Sequence, residues 1–160
     1  MTAMPTIHAE RSVTISRVLK APRDLVWRAW TDTAMLKQWW GPEQFTNPVV
    51  DGDIKVGGVL HITMHGPKNT PYDMDMPMVK RYREIVPGRR LVFENEPVGP
   101  NGERFMDALT TVTFSDHPDG TLMEMTTVAK ALVPMAVGML QGMEQGWGQS
   151  FDKLARLLET

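Results

Sequence analysis

Residues 138–159 read GMLQGMEQGWGQSFDKLARLLE, and the second half of that stretch has the pattern of a helix. Phe151, Leu154, Leu157 and Leu158 recur at three- and four-residue intervals, which puts them on one face. The first half carries glycine at 138, 142 and 146. Each glycine costs a helix about 1 kcal/mol relative to alanine, so three in register ask for a reason. A stripe without side chains either lets the helix approach its neighbour closely or leaves room for a guest. Met135, Met139, Met143 and Trp147 line the adjacent stripe. Pro134 suits a first helical turn, so one long terminal helix is expected to begin there.

Upstream of that helix the chain alternates. VTISRVLK (Val13 to Lys20) sets Val13, Ile15 and Leu19 on one side, as a half-buried strand does. Pro22 opens a short helix whose apolar face is Val26, Ala29 and Trp30. A second covers Thr33 to Trp39 and stops at Gly41-Pro42. Strands are predicted near 46–51, 58–65, 74–86, 90–96, 105–115 and 121–130. Turn signals separate them, among them Gly57-Gly58, Gly66-Pro67, Pro87-Gly88 and Pro118-Asp119-Gly120. Consecutive hairpins of this kind build one antiparallel sheet with the last helix across one face. The expected class is α+β, a single domain over 1–160, with residues 1–11 a loosely ordered tail.

Period-two alternation assigns the inner face. On the fourth strand Met74, Met76, Met78, Tyr82 and Glu84 share it, while Asp75, Arg81 and Arg83 face water. Leu60, Ile62, Met64, Leu91, Phe93, Met106, Val112, Phe114, Met123 and Met125 also point inward. A β-bulge in any strand flips part of its list.

The composition excludes several classes of function. Lys plus Arg number 17 against 19 Asp plus Glu, a net charge of −2, which offers no electrostatic reason to bind nucleic acid or an anionic membrane. There is no membrane-length apolar run and no signal-like hydrophobic segment, so a cytoplasmic protein is expected. Cysteine is absent, which removes disulfides and a thiolate nucleophile. His61 and His65 lie four residues apart on a strand, about 13 Å, too far to share a metal. Asp73 and Asp75 read as a solvated edge with no histidine beside them. No phosphate-binding glycine loop or nucleophile elbow is present. No cofactor, metal or catalytic residue is assigned.

RVLKAPRDLVWRAWTD (residues 17–32), LKQWWGPEQF (36–45), DIKVGG (53–58), YREIVPGRRLVF (82–93), LTTVTF (109–114) and GWGQSFDKL (146–154) occur in an order that resembles the activator-of-Hsp90-ATPase-homologue family. That family lies within the START-like superfamily. The resemblance runs from about Ser12 to Leu158, and departs from the family where Lys55-Val56 precedes the glycine pair and where Thr33 replaces a common proline. It implies a helix-grip fold: a curved antiparallel sheet wrapped around a long C-terminal helix, with two short helices after the first strand. Fold transfers from such a resemblance better than activity does.

In such a fold the glycine stripe helps roof a cavity. The chain has 13 methionines, more than Phe, Trp and Tyr combined, and methionine adapts to guests of varied shape. The expected lining is Trp40, Met64, Met74, Met76, Met78, Tyr82, Glu84, Phe93, Met106, Met139, Gly142 and Met143, around a small apolar or aromatic molecule. Glu84 is either an acid–base group raised by burial or, the preferred reading, the buried partner of Arg17. Three roles are expected, in order: ligand binding, an enzyme of the cyclase, aromatase or hydratase sort using the same cavity, and a co-chaperone. The Pro- and Met-rich segments PYDMDMPMV (71–79) and ALVPMAVGML (131–140) suggest a homodimer.

Overall fold

Alternating apolar residues become seven antiparallel strands, described for residues 6–99 and 101–159 in a computed structural model. They are β1 (Ala9–Leu19), β2 (Thr46–Gly52), β3 (Val59–His65), β4 (Asp75–Val86), β5 (Arg90–Pro97), β6 (Met106–His117) and β7 (Gly120–Ala131). The order across the curved sheet is β1-β7-β6-β5-β4-β3-β2. Five neighbouring pairs are sequential hairpins. The last strand then returns to pair with the first along its whole length, from Ala9 opposite Ala131 to Leu19 opposite Thr121. Gly120 makes this return tight. Its φ is 139°, and a Cβ there would lie 2.1 Å from the Leu19 carbonyl oxygen, so only glycine fits.

Between β1 and β2 come α1 (Arg23–Thr31) and α2 (Thr33–Trp39). Pro22 precedes the first turn of α1, and the Asp32 carboxylate caps α2 by accepting from the Ala34 and Met35 amides at 2.8 and 3.2 Å. These helices deliver Val26, Ala29, Trp30, Leu36 and Trp39, all fully buried, against Leu60, Leu91, Phe93, Met123, Phe151 and Leu154. Each large side chain so buried contributes about 1.5–3 kcal/mol. The two tryptophans also satisfy their polar ends: Trp39 Nε1 donates to the Ala29 carbonyl at 2.8 Å, and Trp30 Nε1 to the Met123 sulfur at 3.3 Å.

The C-terminal segment departs from the single helix expected. Pro134–Ala136 form a 3₁₀ turn, succeeded by α3 (Val137–Gln141) and the 16-residue α4 (Met143–Leu158), which is the helix the sheet grips. Gly142 marks the joint at φ −91°, ψ −1°, still right-handed. Gly138 and Gly142 both face solvent, and a Cβ at either would meet nothing within 4 Å. The glycines at these two positions therefore serve neither close packing nor a cavity roof. Further along, a Cβ at Gly146 or Gly148 would meet Pro42 at 3.6 Å or Arg17 at 3.8 Å, which is ordinary contact.

Two more expectations are corrected. Residues 9–11, assigned to a loose tail, are the start of β1, and Arg11 donates to the carbonyls of Leu140 and Gln141 at 2.8 and 3.0 Å. Residues 1–5 of that tail lie outside the described residues. On β4 the register with β5 slips between Tyr82 and Glu84. This bulge inserts Arg83 and reverses the facing of the residues after it, so Glu84 is exposed and pairs with Arg90 at 3.3 Å. Arg17 pairs instead with Asp152 on α4, at 2.7 Å. No helix among the described residues is long and apolar enough to cross a membrane.

Candidate functional site

Before the bulge, the alternation of β4 buries three successive inward positions: Met78, Lys80 and Tyr82. Lys80 is wholly buried. Its amine lies 4.0 Å from the ring centres of both Trp40 and Phe93, 5.5 Å from Trp30 and 5.7 Å from Tyr82. Each wall of this box comes from a different element. Trp30 is on α1; Trp40 ends α2, just before Gly41 turns the chain at φ 91°; Phe93 sits on β5 directly opposite Tyr82.

Among the described residues nothing hydrogen-bonds the Lys80 amine, and no carboxylate forms an ion pair with it. Burial alone drives its pKa well below the ordinary 10.5. Aromatic faces attract a cation by about 2 kcal/mol when desolvated. Taking an unpaired ammonium out of water costs several kcal/mol. The desolvation cost is the larger, and the neutral amine is favoured.

Two further polar groups beside it are in the same condition. Asn95 faces Lys80 across the β4–β5 pairing, and its amide oxygen is buried without a hydrogen-bond partner. The Tyr82 hydroxyl is also buried and unpartnered, and burial raises its pKa, so it stays protonated. The polar strip continues across the concave face to Thr110 and Thr127, whose hydroxyls bond each other at 2.8 Å. Beyond it the sheet carries small residues, Ala108, Ala129 and Ala131, under Ala136 and Leu140. An open groove of about 500 Å³ runs between β1 and the α3–α4 joint, lined by Arg11, Ile15, Arg17, Gln141, Glu144 and Gln145, with Gly148 at its far end. Unpartnered donors and acceptors set among aromatic faces can orient a small flat molecule that has one polar edge.

Of the residues predicted to line a pocket, Trp40, Met78, Tyr82 and Phe93 gather around Lys80. Met64 and Met76 are register partners and half-buried. Met106 and Met143 pack in the second apolar cluster with Ala131 and Leu140. Met74, Glu84, Met139 and Gly142 are exposed and point away from this interior. Lys80 and Asn95 are inner residues that the sequence reading does not include. The signal is present: Lys80 has the parity of Met78 and Tyr82, and Asn95 that of Leu91 and Phe93.

Elsewhere, His65 does have acidic neighbours. Its two ring nitrogens lie 2.8 Å from Asp75 and 2.8 Å from Asp73, because the 66–74 loop folds back over the end of β3. These hydrogen bonds, the one to Asp75 first, raise the histidine pKa above 6.5. On the outer face Glu94, Glu96 and Asp107 converge within 4.8 Å. Arg81 and Arg104 bridge Glu96, Arg83 bridges Glu94, and Arg104 reaches Asp107, so the cluster is an ion-pair network. Burial, then the charge of Glu94, raises the Asp107 pKa.

A curved antiparallel sheet gripping a C-terminal helix, with a buried polar strip on its concave side, defines a helix-grip protein. The chain belongs to the family described as Activator of Hsp90 ATPase homolog 1-like protein, whose pattern matches residues 20–159. Its fold is similar to that of a Chromobacterium violaceum protein known from its crystal structure, with 26% identity, 93% of this chain and 98% of that one covered, and a TM-score of 0.77. An uncharacterised protein of Rhizobium leguminosarum is similar at 27% identity, with 94% and 95% covered and a TM-score of 0.75. A Mycobacterium smegmatis protein at 20% identity, with 96% and 97% covered and a TM-score of 0.74, shares the fold alone. No curated protein matches the chain in sequence.

Proposed function

We propose that this chain binds a small, mostly apolar molecule between the concave face of the sheet and α4, with the polar edge of that molecule on Lys80, Tyr82 and Asn95. The observation that carries the reading is the Lys80 amine, wholly buried among four aromatic rings with no hydrogen-bond partner among the described residues. Leaving such a group unmade costs about 1–3 kcal/mol, a cost that a ligand offering an acceptor recovers on binding. Proteins of this fold commonly bind hydrophobic ligands, which supports the reading. Trp40, Met78 and Phe93 supply the apolar walls, and the half-buried Met64 packs against the same cluster with a side chain that adapts to shape, while Met106 and Met143 pack in the second cluster.

The complementary molecule accepts from Lys80 and Tyr82 and donates to Asn95. Native mass spectrometry of the purified protein, before and after denaturation, is expected to reveal a released small molecule. Titration with 1-naphthol is expected to change the tryptophan fluorescence, since the ring centres of Trp30, Trp40 and Trp147 lie 5.3–6.5 Å from one another. A protein that releases nothing and whose fluorescence ignores naphthol does not bind in this way.

A further inference from the structure

Three N–H bonds of an ammonium need three acceptors, and the Lys80 box offers few. Around its amine stand the faces of Trp30, Trp40, Tyr82 and Phe93, the Asn95 amide oxygen opposite on β5, and the Tyr82 hydroxyl two residues along the same face. A cation with one N–H, its charge spread over carbon and nitrogen, suits these surroundings far better. Asn95 accepts that single bond, and the rings meet the diffuse charge. An iminium, formed when an amine condenses with a carbonyl, is such a cation.

We propose that Lys80 is a reactive amine that captures aldehydes or ketones as a Schiff base, so that the molecules held in this interior are carbonyl compounds with an apolar or aromatic body. The inference rests on the binding reading above and names its ligand class. Three features of the structure support it. The amine is wholly buried with no hydrogen-bond partner among the described residues, and that burial lowers its pKa, which favours the neutral form a nucleophile needs. It is held among the rings of Trp30, Trp40, Tyr82 and Phe93, 4.0–5.7 Å from their centres. Its neighbour Tyr82 has a buried, unpartnered hydroxyl on the same face; burial keeps that hydroxyl from ionising, so it can act only as a relay that gives one proton as it takes another.

The chemistry balances without a further reagent. The nitrogen lone pair forms a bond to the carbonyl carbon, and the carbonyl π pair moves to oxygen. One proton passes from nitrogen to that oxygen, giving a carbinolamine. In one concerted transfer the Tyr82 hydroxyl passes its proton to the carbinolamine hydroxyl, which departs as water, and takes the proton of the remaining N–H as the C=N bond forms. The net result is amine plus carbonyl to imine plus water. Uptake of one solvent proton then gives the iminium that Asn95 and the aromatic rings stabilise.

The test is reductive trapping. Benzaldehyde, cinnamaldehyde and octanal are each incubated with the intact protein at neutral pH, below saturation of surface lysines, and reduced with sodium cyanoborohydride. Intact mass and peptide mapping are expected to show one alkyl group, on Lys80, with at least one aldehyde. The adduct is expected to vanish in Lys80→Met, a variant of similar length that removes a buried amine and whose fold is checked by circular dichroism. Labelling confined to surface lysines, or equal in the variant, overturns the carbonyl proposal. Tryptophan fluorescence with 1-naphthol, read on the same samples, separates the two failures. Binding without trapping leaves the apolar site standing and removes only the Schiff base. Neither binding nor trapping removes both.

Discussion

Lys80 and Asn95 face each other across the β4–β5 pairing, and neither the amine nor the amide oxygen has a hydrogen-bond partner among the described residues. The interior of this sheet is therefore specified for something other than maximal stability. Replacing a buried unpartnered polar group with an apolar one of similar shape is neutral to favourable. Lys80→Met is expected to stabilise the chain by about 1–3 kcal/mol in urea denaturation while abolishing any function that needs the amine. A marked loss of stability would mean the amine has a structural partner.

The same lysine gives the protein a pH signature. Its folded pKa is depressed below the ordinary 10.5 by burial, so over the window between the two values the unfolded chain binds the extra proton. Stability then rises with pH across that window, by at most about 1.4 kcal/mol per unit from one group, and levels off above 10.5. Urea midpoints taken from neutral pH upward are expected to climb in the wild type. Lys80→Met is expected to lack this component.

At His65 the sign is opposite. Hydrogen bonds to Asp75 and Asp73 raise its folded pKa above 6.5. The stabilisation is complete below 6.5 and fades as pH rises through the folded value. Nuclear magnetic resonance titration is expected to find His65 titrating above 6.5, and falling back toward it in the Asp73→Asn, Asp75→Asn double variant. An unchanged midpoint in that variant would refute the bridge.

Gly138→Ala and Gly142→Ala are expected to raise stability by about 0.4–1 kcal/mol each, because the new methyl meets open space and Gly142 already has right-handed backbone angles. Thermal unfolding checks the sign, and naphthol affinity is expected to be unchanged. A fall in either quantity would restore these glycines to the interior.

Lys153 ties α4 to the turn that presents Trp40. Its ammonium lies 3.3–3.4 Å from the carbonyl oxygens of Trp40, Gly41, Pro42 and Phe45. Lys153→Met strands these acceptors and is expected to cost about 1–3 kcal/mol. Faster amide exchange over residues 40–47 is the accompanying readout; exchange spread evenly over the sheet would contradict a local clip.

The sheet and both short helices are legible in the sequence because their signals are local. Pro22, Asp32, the Gly-Pro stop at 41–42 and the turn dipeptides each act within a few residues. The facing of β1, β3, β5 and β7 comes from parity. The features that escape such a reading are non-local. Nothing in YREIV marks Arg83 as an extra residue; the bulge is visible only in the pairing of β4 with β5, and it decides Glu84. Lys80 escapes because a charged residue is ordinarily placed in water, although its parity says otherwise. The pairing of His65 with Asp73 and Asp75 needs a loop to fold back, and spacing along a strand cannot show that.

The irregularity between Thr46 and Val49 reaches beyond this one molecule. β2 is an outer strand, bonded on one side only, to β3. An open row of backbone donors and acceptors invites a strand from a neighbouring chain, and repeated additions lead to fibres. Here the row is broken: Pro48 has no N–H to offer, and the register shift around it spoils the even spacing a newcomer requires. A sheet that leaves polar groups unpaired in its interior thus guards its β2 margin against strand addition.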